Sequence, residues 1–275
     1  MASDDYVFTR DYIDNNRINL LHGLWTKTWG YVLHPRIPTD KPDLRVADVG
    51  TGTGIWLFDV REQLPPSARL EGFDISFDAV PHAATLPSNV SFRHWNVKED
   101  LPEDLVGAFD IVHVRFLAFV VLDEEIRAVV DRLFKMLKPG GYLQWGEPDL
   151  TTLRVDKAGD DVAADSVAAL FGLFGTQQGD ARMRPGWCAQ LGEHFSAAGF
   201  ADVAADRLEP APHWSYVFHE AGLMMFELII PRKEAGGEAM RREVERLLPL
   251  AVAETRRGAW VASVRVSVVG RKPAV

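Results

Sequence analysis

Residues 44–54 read Leu-Arg-Val-Ala-Asp-Val-Gly-Thr-Gly-Thr-Gly, and the rest of the chain is organised around them. The first six are mostly apolar or small and stop abruptly at Gly50, which predicts a buried strand that enters a tight turn. Residues 55–64 carry apolar side chains available for packing, which predicts a helix. Because glycine lacks a Cβ atom, Gly50, Gly52 and Gly54 let the backbone turn sharply and let a ligand lie against it. The unpaired N–H groups at the start of the helix are expected to face the same ligand.

The spacing of these glycines separates two kinds of ligand-binding turn. A dinucleotide-binding fold carries G-x-G-x-x-G, with an acidic residue about 20 positions later. Here the spacing is G-x-G-x-G, and Ile55 takes the position of the third dinucleotide glycine. A tight strand–helix connection that binds no ligand is the structural alternative, so the choice depends on the segments that follow.

Three further strands are predicted after the first helix, and polar residues stand where each one ends. The predicted strands are 69–76, 90–97 and 108–114. Ligands of open α/β sheets bind beyond the carboxyl ends of the strands. A carboxylate at Asp74 could there accept both ribose hydroxyls of an adenosine. Arg115, directly after the last of these strands, is a candidate contact of a cofactor or substrate.

An amphipathic helix is predicted over residues 123–137, because apolar side chains recur there at spacings of three and four. Asp123 is expected to cap its start. The sequence Lys138-Pro139-Gly140-Gly141 then breaks the helix, and residues 142–147 form the fifth predicted strand.

The segment Asp48-Val49-Gly50-Thr51-Gly52-Thr53-Gly54 resembles the first motif of class I S-adenosylmethionine-dependent methyltransferases. The strand that ends at Asp74 is similar to the second motif of that family, and the helix–Lys-Pro-Gly-Gly–strand unit is also typical of it. The resemblance covers about residues 44–150 and becomes looser beyond them. With the Trp-rich N-terminal lead, the chain looks like the methyltransferases of fungal natural-product pathways.

This resemblance implies an α/β fold with a Rossmann-like, doubly wound sheet of seven strands and helices on both faces. The last strand, predicted over 260–270, is antiparallel in the family. The implied division is an N-terminal helical lid and linker (residues 1–43) followed by a class I methyltransferase domain (residues 44–275). An insertion before the last strand, at about 209–259, is where this family often builds substrate specificity.

S-adenosylmethionine is the cofactor that the resemblance implies, with S-adenosylhomocysteine as its product. In the family the glycine loop holds the methionine part, and a residue after the third strand, usually Asp, meets the adenine amino group. This chain has Asn96 there, whose amide oxygen can still accept that hydrogen bond. The implied cofactor-binding residues are Asp48, Gly50, Thr51, Gly52, Gly54, Asp74, Ile75, Asn96, Val97 and Arg115.

Methyl transfer requires that the acceptor lie in line with the methyl group, and a hydroxyl acceptor also needs a base. The candidate bases are Glu147, at the end of the fifth strand, and His213 or His219 in the insertion. The candidate substrate-binding residues are Tyr12, Trp25, Trp29 and Met225. The alternative for the N-terminal aromatic residues is packing in the core, and for Met225 ordinary helix packing. The acceptor atom stays open between oxygen, nitrogen and carbon.

The composition of the chain limits which kinds of partner it is expected to bind. The formal net charge is −9, from 30 basic and 39 acidic residues, which argues against a nucleic-acid-binding surface. Cys188 is the single cysteine, so no intramolecular disulfide can form, and no metal site is expected. No stretch approaches the ~20 apolar residues of a membrane span, and the N-terminus lacks a signal-peptide core. We expect a cytoplasmic protein with a small-molecule substrate and no membrane partner; the oligomeric state stays open, with a homodimer one option.

The predicted function is methyl transfer to a small, largely apolar molecule of secondary metabolism. One alternative is a protein of this fold that binds the cofactor but catalyses a cyclisation, elimination or rearrangement, and another is a regulatory module that senses the cofactor. A nicotinamide oxidoreductase is least favoured, because the third dinucleotide glycine is missing. Turnover separates these functions, since only a methylase releases S-adenosylhomocysteine in proportion to product.

Overall fold

The computed structural model describes residues 11–173, 185–229 and 237–274. Its strands are β1 (Arg45–Val49), β2 (Arg69–Asp74), β3 (Val90–His94), β4 (Phe109–Arg115), β5 (Leu137–Lys157), β6 (Ala201–Leu208) and β7 (Ala259–Arg271). They form one seven-stranded sheet in the order β3-β2-β1-β4-β5-β7-β6. Strands β1 to β5 pair in parallel, whereas β7 runs antiparallel to both of its neighbours. The predicted fold class is confirmed.

Seven α-helices are present in the described part of the chain. They are α1 (Tyr12–Trp29), α2 (Ile55–Arg61), α3 (Ile126–Met136), α4 (Asp165–Gly172), α5 (Leu191–Ala197), α6 (Pro212–Ile229) and α7 (Gly237–Thr255). None of them is long and apolar enough to cross a membrane.

The sheet is buried on both faces, as a doubly wound fold requires. Along β4, Val112 and Val114 pack in the cluster that also holds the apolar stripe of α3 and residues of α5. Ile111, which directly precedes Val112, points to the opposite face and packs in the cluster that contains Trp56 and Leu57 of α2. The near-continuous apolar run of this strand is therefore explained by helices on both of its sides.

The predicted helix over 123–137 is shorter in the structure, because α3 begins at Ile126. Asp123 does not cap it. Its Oδ1 atom instead accepts the N–H groups of Gly186 and Trp187, at 3.0 and 3.4 Å. Asp123 was predicted to cap the helix, but it instead makes a tertiary contact with the segment before α5.

Strand β5 is much longer than the predicted 142–147, and its pairing with β7 continues past an irregularity between Asp149 and Arg154. Beyond that point the two strands leave the central sheet. Val261 and Ala259 of β7 pack there in a third cluster with residues of α4, α6 and α7. This extension carries the helical insertion over the carboxyl edge of the sheet.

Helix α1 is a single helix, capped at its start by the Asp11 side chain and closed by Gly30 with a φ of 76°. It packs against α2 and α6. Trp25 anchors it on β5, where a Cβ atom at Gly146 would lie only 2.5 Å from the indole ring. The N-terminal helix is thereby fixed beside the carboxyl ends of the strands.

Candidate functional site

One cavity of about 750 Å³ extends along the carboxyl edge of the sheet and continues beneath the insertion. We call its two ends the glycine end and the insertion end. The glycine end is lined by residues 48–52, 74–76, 95–98, 113 and 115–117 and by the inner face of α1. The insertion end is lined by residues of 148–155, α4, α6 and β7.

The glycine turn adopts a backbone that favours glycine. Gly50, Gly52 and Gly54 have φ angles of 71°, 56° and 77°, in the left-handed region. A Cβ atom at Gly50 would lie 2.8 Å from a methyl carbon of Leu117, and one at Gly54 would lie 2.8 Å from the Phe92 ring. Of the three, Gly50 and Gly52 line the cavity, and Gly54 supports the turn from behind.

The N–H groups of this turn are used within the protein. Gly50 and Thr51 donate to the carbonyl of Phe73, at 2.8 and 3.1 Å, and Gly52 donates to Oδ2 of Asp74 at 2.9 Å. The N–H groups of Gly50, Thr51 and Gly52 are therefore engaged within the protein rather than directed at a ligand. A phosphate-binding loop aims several N–H groups at its anion. This arrangement counts against the dinucleotide alternative.

Asp74 stands at the end of β2, on the cavity wall. Besides the Gly52 bond, its Oδ1 atom accepts the N–H groups of Ile75 and Ser76, at 2.8 and 3.3 Å. These bonds fix the orientation of the carboxylate. Ile75, also on the wall, leaves 36% of its surface exposed, which offers an apolar contact to a flat ring.

Asn96 and Val97 follow β3 and line the same end of the cavity. The Asn96 amide oxygen accepts the N–H group of Lys98 at 3.0 Å. Because an amide oxygen has two lone pairs, it can accept a second hydrogen bond from a ligand.

Asp48 is buried beneath the turn and is bonded on both oxygens. Oδ2 accepts the hydroxyl of Thr51 at 2.7 Å, and Oδ1 lies 2.7 Å from Nδ1 of His113. Burial lowers the pKa of His113 to about 4 against the opposing effect of Asp48, so the ring is neutral and its Nδ1–H donates. The ring stacks on Trp56 with centroids 3.8 Å apart. His113 is 2% exposed and belongs to the core, but it also lines the cavity.

Arg115 is held at the cavity by a relay that the sequence did not indicate. Its guanidinium donates to Nδ1 of His22 at 2.6 Å, and His22 Nε2 donates in turn to Asp59 at 2.9 Å. Burial and the nearby Arg115 charge lower the pKa of His22, which keeps it neutral as the relay requires. Burial also lowers the pKa of Arg115 to about 10, so this cation stays charged at neutral pH.

The predicted substrate-binding residues separate into two groups. Met225 lines the insertion end. Tyr12 is exposed at the start of α1, Trp25 is 2% exposed and packs edge-on against Phe116, and Trp29 lies against Trp25. None of these three aromatic residues lines the cavity, and Trp25 follows the core-packing alternative. The α1 residues that do line it are Asp14, Asn15, Arg17, Ile18 and Leu21.

Comparison with known proteins identifies the family of the part of the chain that contains the glycine turn. Residues 46–141 match the family model described as a methyltransferase domain. This part of the chain is a methyltransferase domain. The family resemblance predicted for residues 44–150 is therefore confirmed over residues 46–141.

Relatives of this methyltransferase domain include "N-methyltransferase verN" of Clonostachys rogersoniana. It is 34% identical over 147 residues, which are 54% of this chain and 51% of that protein. The matched part of the chain thus spans about half the length of the curated relative.

Two solved structures show the same fold at low identity. Phosphoethanolamine N-methyltransferase 2 of Haemonchus contortus, in complex with S-adenosyl-L-methionine, superposes with a TM-score of 0.52 at 14% identity, over 94% of this chain and 57% of that one. The [4+2]-cyclase SpnF superposes with a TM-score of 0.51 at 18% identity, over 95% and 96% of the two chains.

Glu147, the first candidate base, is fully buried behind the cavity wall of the methyltransferase domain and does not line it. It accepts the N–H groups of Leu117 at 2.7 Å and Ala118 at 3.2 Å, and the indole N–H of Trp145 at 2.7 Å. Burial raises the pKa of Glu147 to about 8, against the effect of these donors. Its position makes it an anchor for the loop after β4, where Phe116 has a φ of 61°.

His219 lines the insertion end, but both ring nitrogens are engaged. Nδ1 accepts the N–H group of Val261 at 3.2 Å, and Nε2 donates to the Thr255 hydroxyl at 2.8 Å, which itself donates to the carbonyl of Ala251. The ring therefore has no nitrogen placed to take a substrate proton. His213, the third candidate, is exposed on α6 and does not line the cavity.

No group of three or more His, Cys, Asp or Glu side chains that could hold a metal ion occurs in the ranges that the structure describes. Cys188 is buried, and burial raises the pKa of its thiol.

The burial of His219 predicts a pH-dependent stability. Burial lowers its pKa from 6.5 to about 4, so between these values the unfolded chain binds more protons here than the folded protein. Its contribution is complete above pH 6.5 and is lost as the pH falls towards 4. We expect that, between pH 7 and 4, the wild type loses about 1–3 kcal/mol more unfolding free energy than His219→Gln.

Urea unfolding at stepwise pH measures this difference. His213→Gln is the control, because that histidine is exposed on the same helix and its variant should follow the wild-type profile. Parallel profiles for wild type and His219→Gln would contradict the prediction.

Proposed function

We propose that this protein transfers the methyl group of S-adenosylmethionine to a nitrogen of a small, largely apolar molecule. The observation that carries the proposal is the continuity of the cavity, which joins the glycine end of the methyltransferase domain to an apolar chamber beneath the insertion. That chamber is walled by Phe171, Phe218, Met225 and Val261 among others. A cofactor at one end and an acceptor at the other would lie in the same cavity, and the sheet would exclude bulk water from one side of it.

The residues at the glycine end fit S-adenosylmethionine. Asp74 is oriented by backbone N–H groups as a ribose-binding carboxylate needs to be. Ile75 offers an apolar surface to the adenine, and Asn96 offers an acceptor to its amino group. Arg115 supplies a fixed cation for the methionine carboxylate. When bound, the cofactor supplies a methyl group already activated on a sulfonium.

Nitrogen is favoured as the acceptor atom by the state of the candidate bases. The titratable residues at the insertion end, among those the structure describes, are Arg154, His219 and Arg265. None of them is placed to remove a proton, because His219 has both nitrogens engaged and the arginines are cations. A neutral amine attacks through its lone pair and needs no base before the transfer, whereas a hydroxyl does. The name of verN, an N-methyltransferase, agrees with this choice.

The domain organisation is proposed on the same geometry. Helix α1 lines the cavity and packs against α6, so it is placed to act as a lid together with the insertion. Residues 1–43 would then be the lid and linker, and residues 209–259 the substrate cap of a domain over 44–275; of these, 1–10 and 230–236 lie outside the described residues.

The experiment is calorimetric titration with S-adenosylmethionine, S-adenosylhomocysteine and NAD⁺, followed by incubation of methyl-labelled cofactor with a panel of apolar aromatic amines. We expect both sulfur ligands to bind, NAD⁺ not to bind, and S-adenosylhomocysteine to appear in a one-to-one ratio with methylated product. Absence of binding by either sulfur ligand would refute the proposal. The fold shared with SpnF does not by itself favour a non-methylating reaction.

A further inference from the structure

Arg265 is a cation on the cavity wall for which the described residues supply no acidic partner. It lies on β7 with Val261 and Ser263, and all three line the insertion end. Its Nη1 atom donates to the carbonyl and hydroxyl oxygens of Ser263, and its guanidinium carbon lies 4.4 Å from the centroid of the Phe218 ring. Among the described residues, no carboxylate forms an ion pair with it.

Two other arginines that line this cavity form ion pairs, whereas Arg115 at the glycine end is bonded to the neutral His22. Arg154, also at the insertion end, pairs with Asp156 at 2.9 Å and with Glu209. Arg17, at the glycine end, pairs with Asp14 at 2.7 Å. Their charges are balanced within the protein, whereas that of Arg265 is not.

A desolvated cation without a counter-charge is costly to a folded protein. Burial lowers the pKa of Arg265 to about 10, and no carboxylate in the part of the chain that the structure describes opposes this effect. The side chain is nevertheless charged at neutral pH. Aromatic and hydroxyl contacts compensate for only part of the lost hydration, so a ligand that brought a negative charge would complete the site.

We propose that Arg265 binds a carboxylate of the methyl acceptor, so that the substrate is an apolar organic acid rather than a neutral molecule. This inference rests on the proposed function, because it takes the insertion end as the acceptor site. A guanidinium has five N–H donors in a planar fork that matches the two oxygens of a carboxylate. Ser263 engages one nitrogen of Arg265, which leaves the other donors for the ligand. The apolar walls around Phe218 and Met225 would hold the hydrophobic body of the acid.

Matched pairs of acids and amides test the proposal. The probes are benzoate with benzamide, 3-phenylpropionate with 3-phenylpropanamide, and indole-3-acetate with indole-3-acetamide, titrated calorimetrically into the protein saturated with S-adenosylhomocysteine. We expect wild type to bind at least one acid about tenfold or more tighter than its amide. Arg265→Met should abolish that preference, and Arg265→Lys should retain part of it.

Arg154→Met is the matched control, because Arg154 lines the same end of the cavity but its charge is already balanced. It should keep the preference of the wild type. Arg265→Met removes an unbalanced charge and keeps an unbranched apolar chain, so we expect it to fold, and urea unfolding checks this.

The proposal is overturned if the wild type binds acids and amides with equal affinity, or if it binds none of the probes. It is also overturned if the preference for acids persists in Arg265→Met. Titration with S-adenosylhomocysteine alone is read separately. If the wild type fails to bind it, the proposed function fails, and the acid preference, measured then without the cofactor product, still decides whether Arg265 binds a carboxylate.

Discussion

Replacement of Asp74 by alanine is expected to weaken the binding of S-adenosylhomocysteine by about 100-fold or more. A carboxylate that accepts two ribose hydroxyls makes hydrogen bonds to a charged group, each worth about 1.5–3 kcal/mol. The substitution also releases the N–H groups of Gly52 and Ile75, which the carboxylate orients at the cavity wall. Isothermal titration calorimetry on wild type and variant measures the change.

Two further variants make this result interpretable. Asp74→Asn keeps the shape of the side chain but loses its charge, and it should bind more weakly than the wild type and more tightly than Asp74→Ala. Asp78→Ala removes an exposed carboxylate four positions later, which bonds Ser76 and does not line the cavity, and it should leave the affinity unchanged. Wild-type affinity in Asp74→Ala would contradict the assignment of the ribose site.

Glu147→Ala is expected to lower the free energy of unfolding by about 3–5 kcal/mol. The carboxylate accepts buried N–H groups from Leu117, Ala118 and Trp145, and alanine would leave all of these donors unsatisfied. The loop after β4 would then lose its anchor beneath the cavity. Glu147→Gln should cost less, since its amide oxygen replaces one of the two carboxylate oxygens.

Chemical denaturation monitored by tryptophan fluorescence measures this effect. Glu124→Gln, at an exposed position near the start of α3, should unfold like the wild type. A Glu147→Gln variant with wild-type stability and intact cofactor binding but without methyl transfer would instead show that Glu147 takes part in the chemistry.

The sheet was predictable because the signals that define it are local. The apolar run before Gly50, the alternation over residues 260–270 and the Pro-Gly-Gly break after α3 each depend on neighbouring residues. The carboxyl ends of parallel strands meet at one edge, so a strand ending at Asp74 had to place that residue near the glycine turn. The glycine end of the cavity follows from these facts, including Asn96, Val97 and Arg115.

The sequence by itself thus determined the position of the glycine turn and the polar residues at the strand ends, and its family resemblance implied the seven-stranded sheet with an antiparallel last strand. Only the tertiary structure decided which side chains reach the cavity and in what state. Glu147 accepts loop N–H groups from residues 29 and 30 positions away. Arg115 bonds His22 across 93 residues, and both ring nitrogens of His219 bond partners 36 and 42 residues away. Arg265 came to face the cavity because the pairing of β7 with β5 places it beside Pro148, near the carboxyl edge of the sheet. Residue periodicity fixes the face that a side chain occupies, but its hydrogen-bond partner comes from a distant segment that no local pattern identifies.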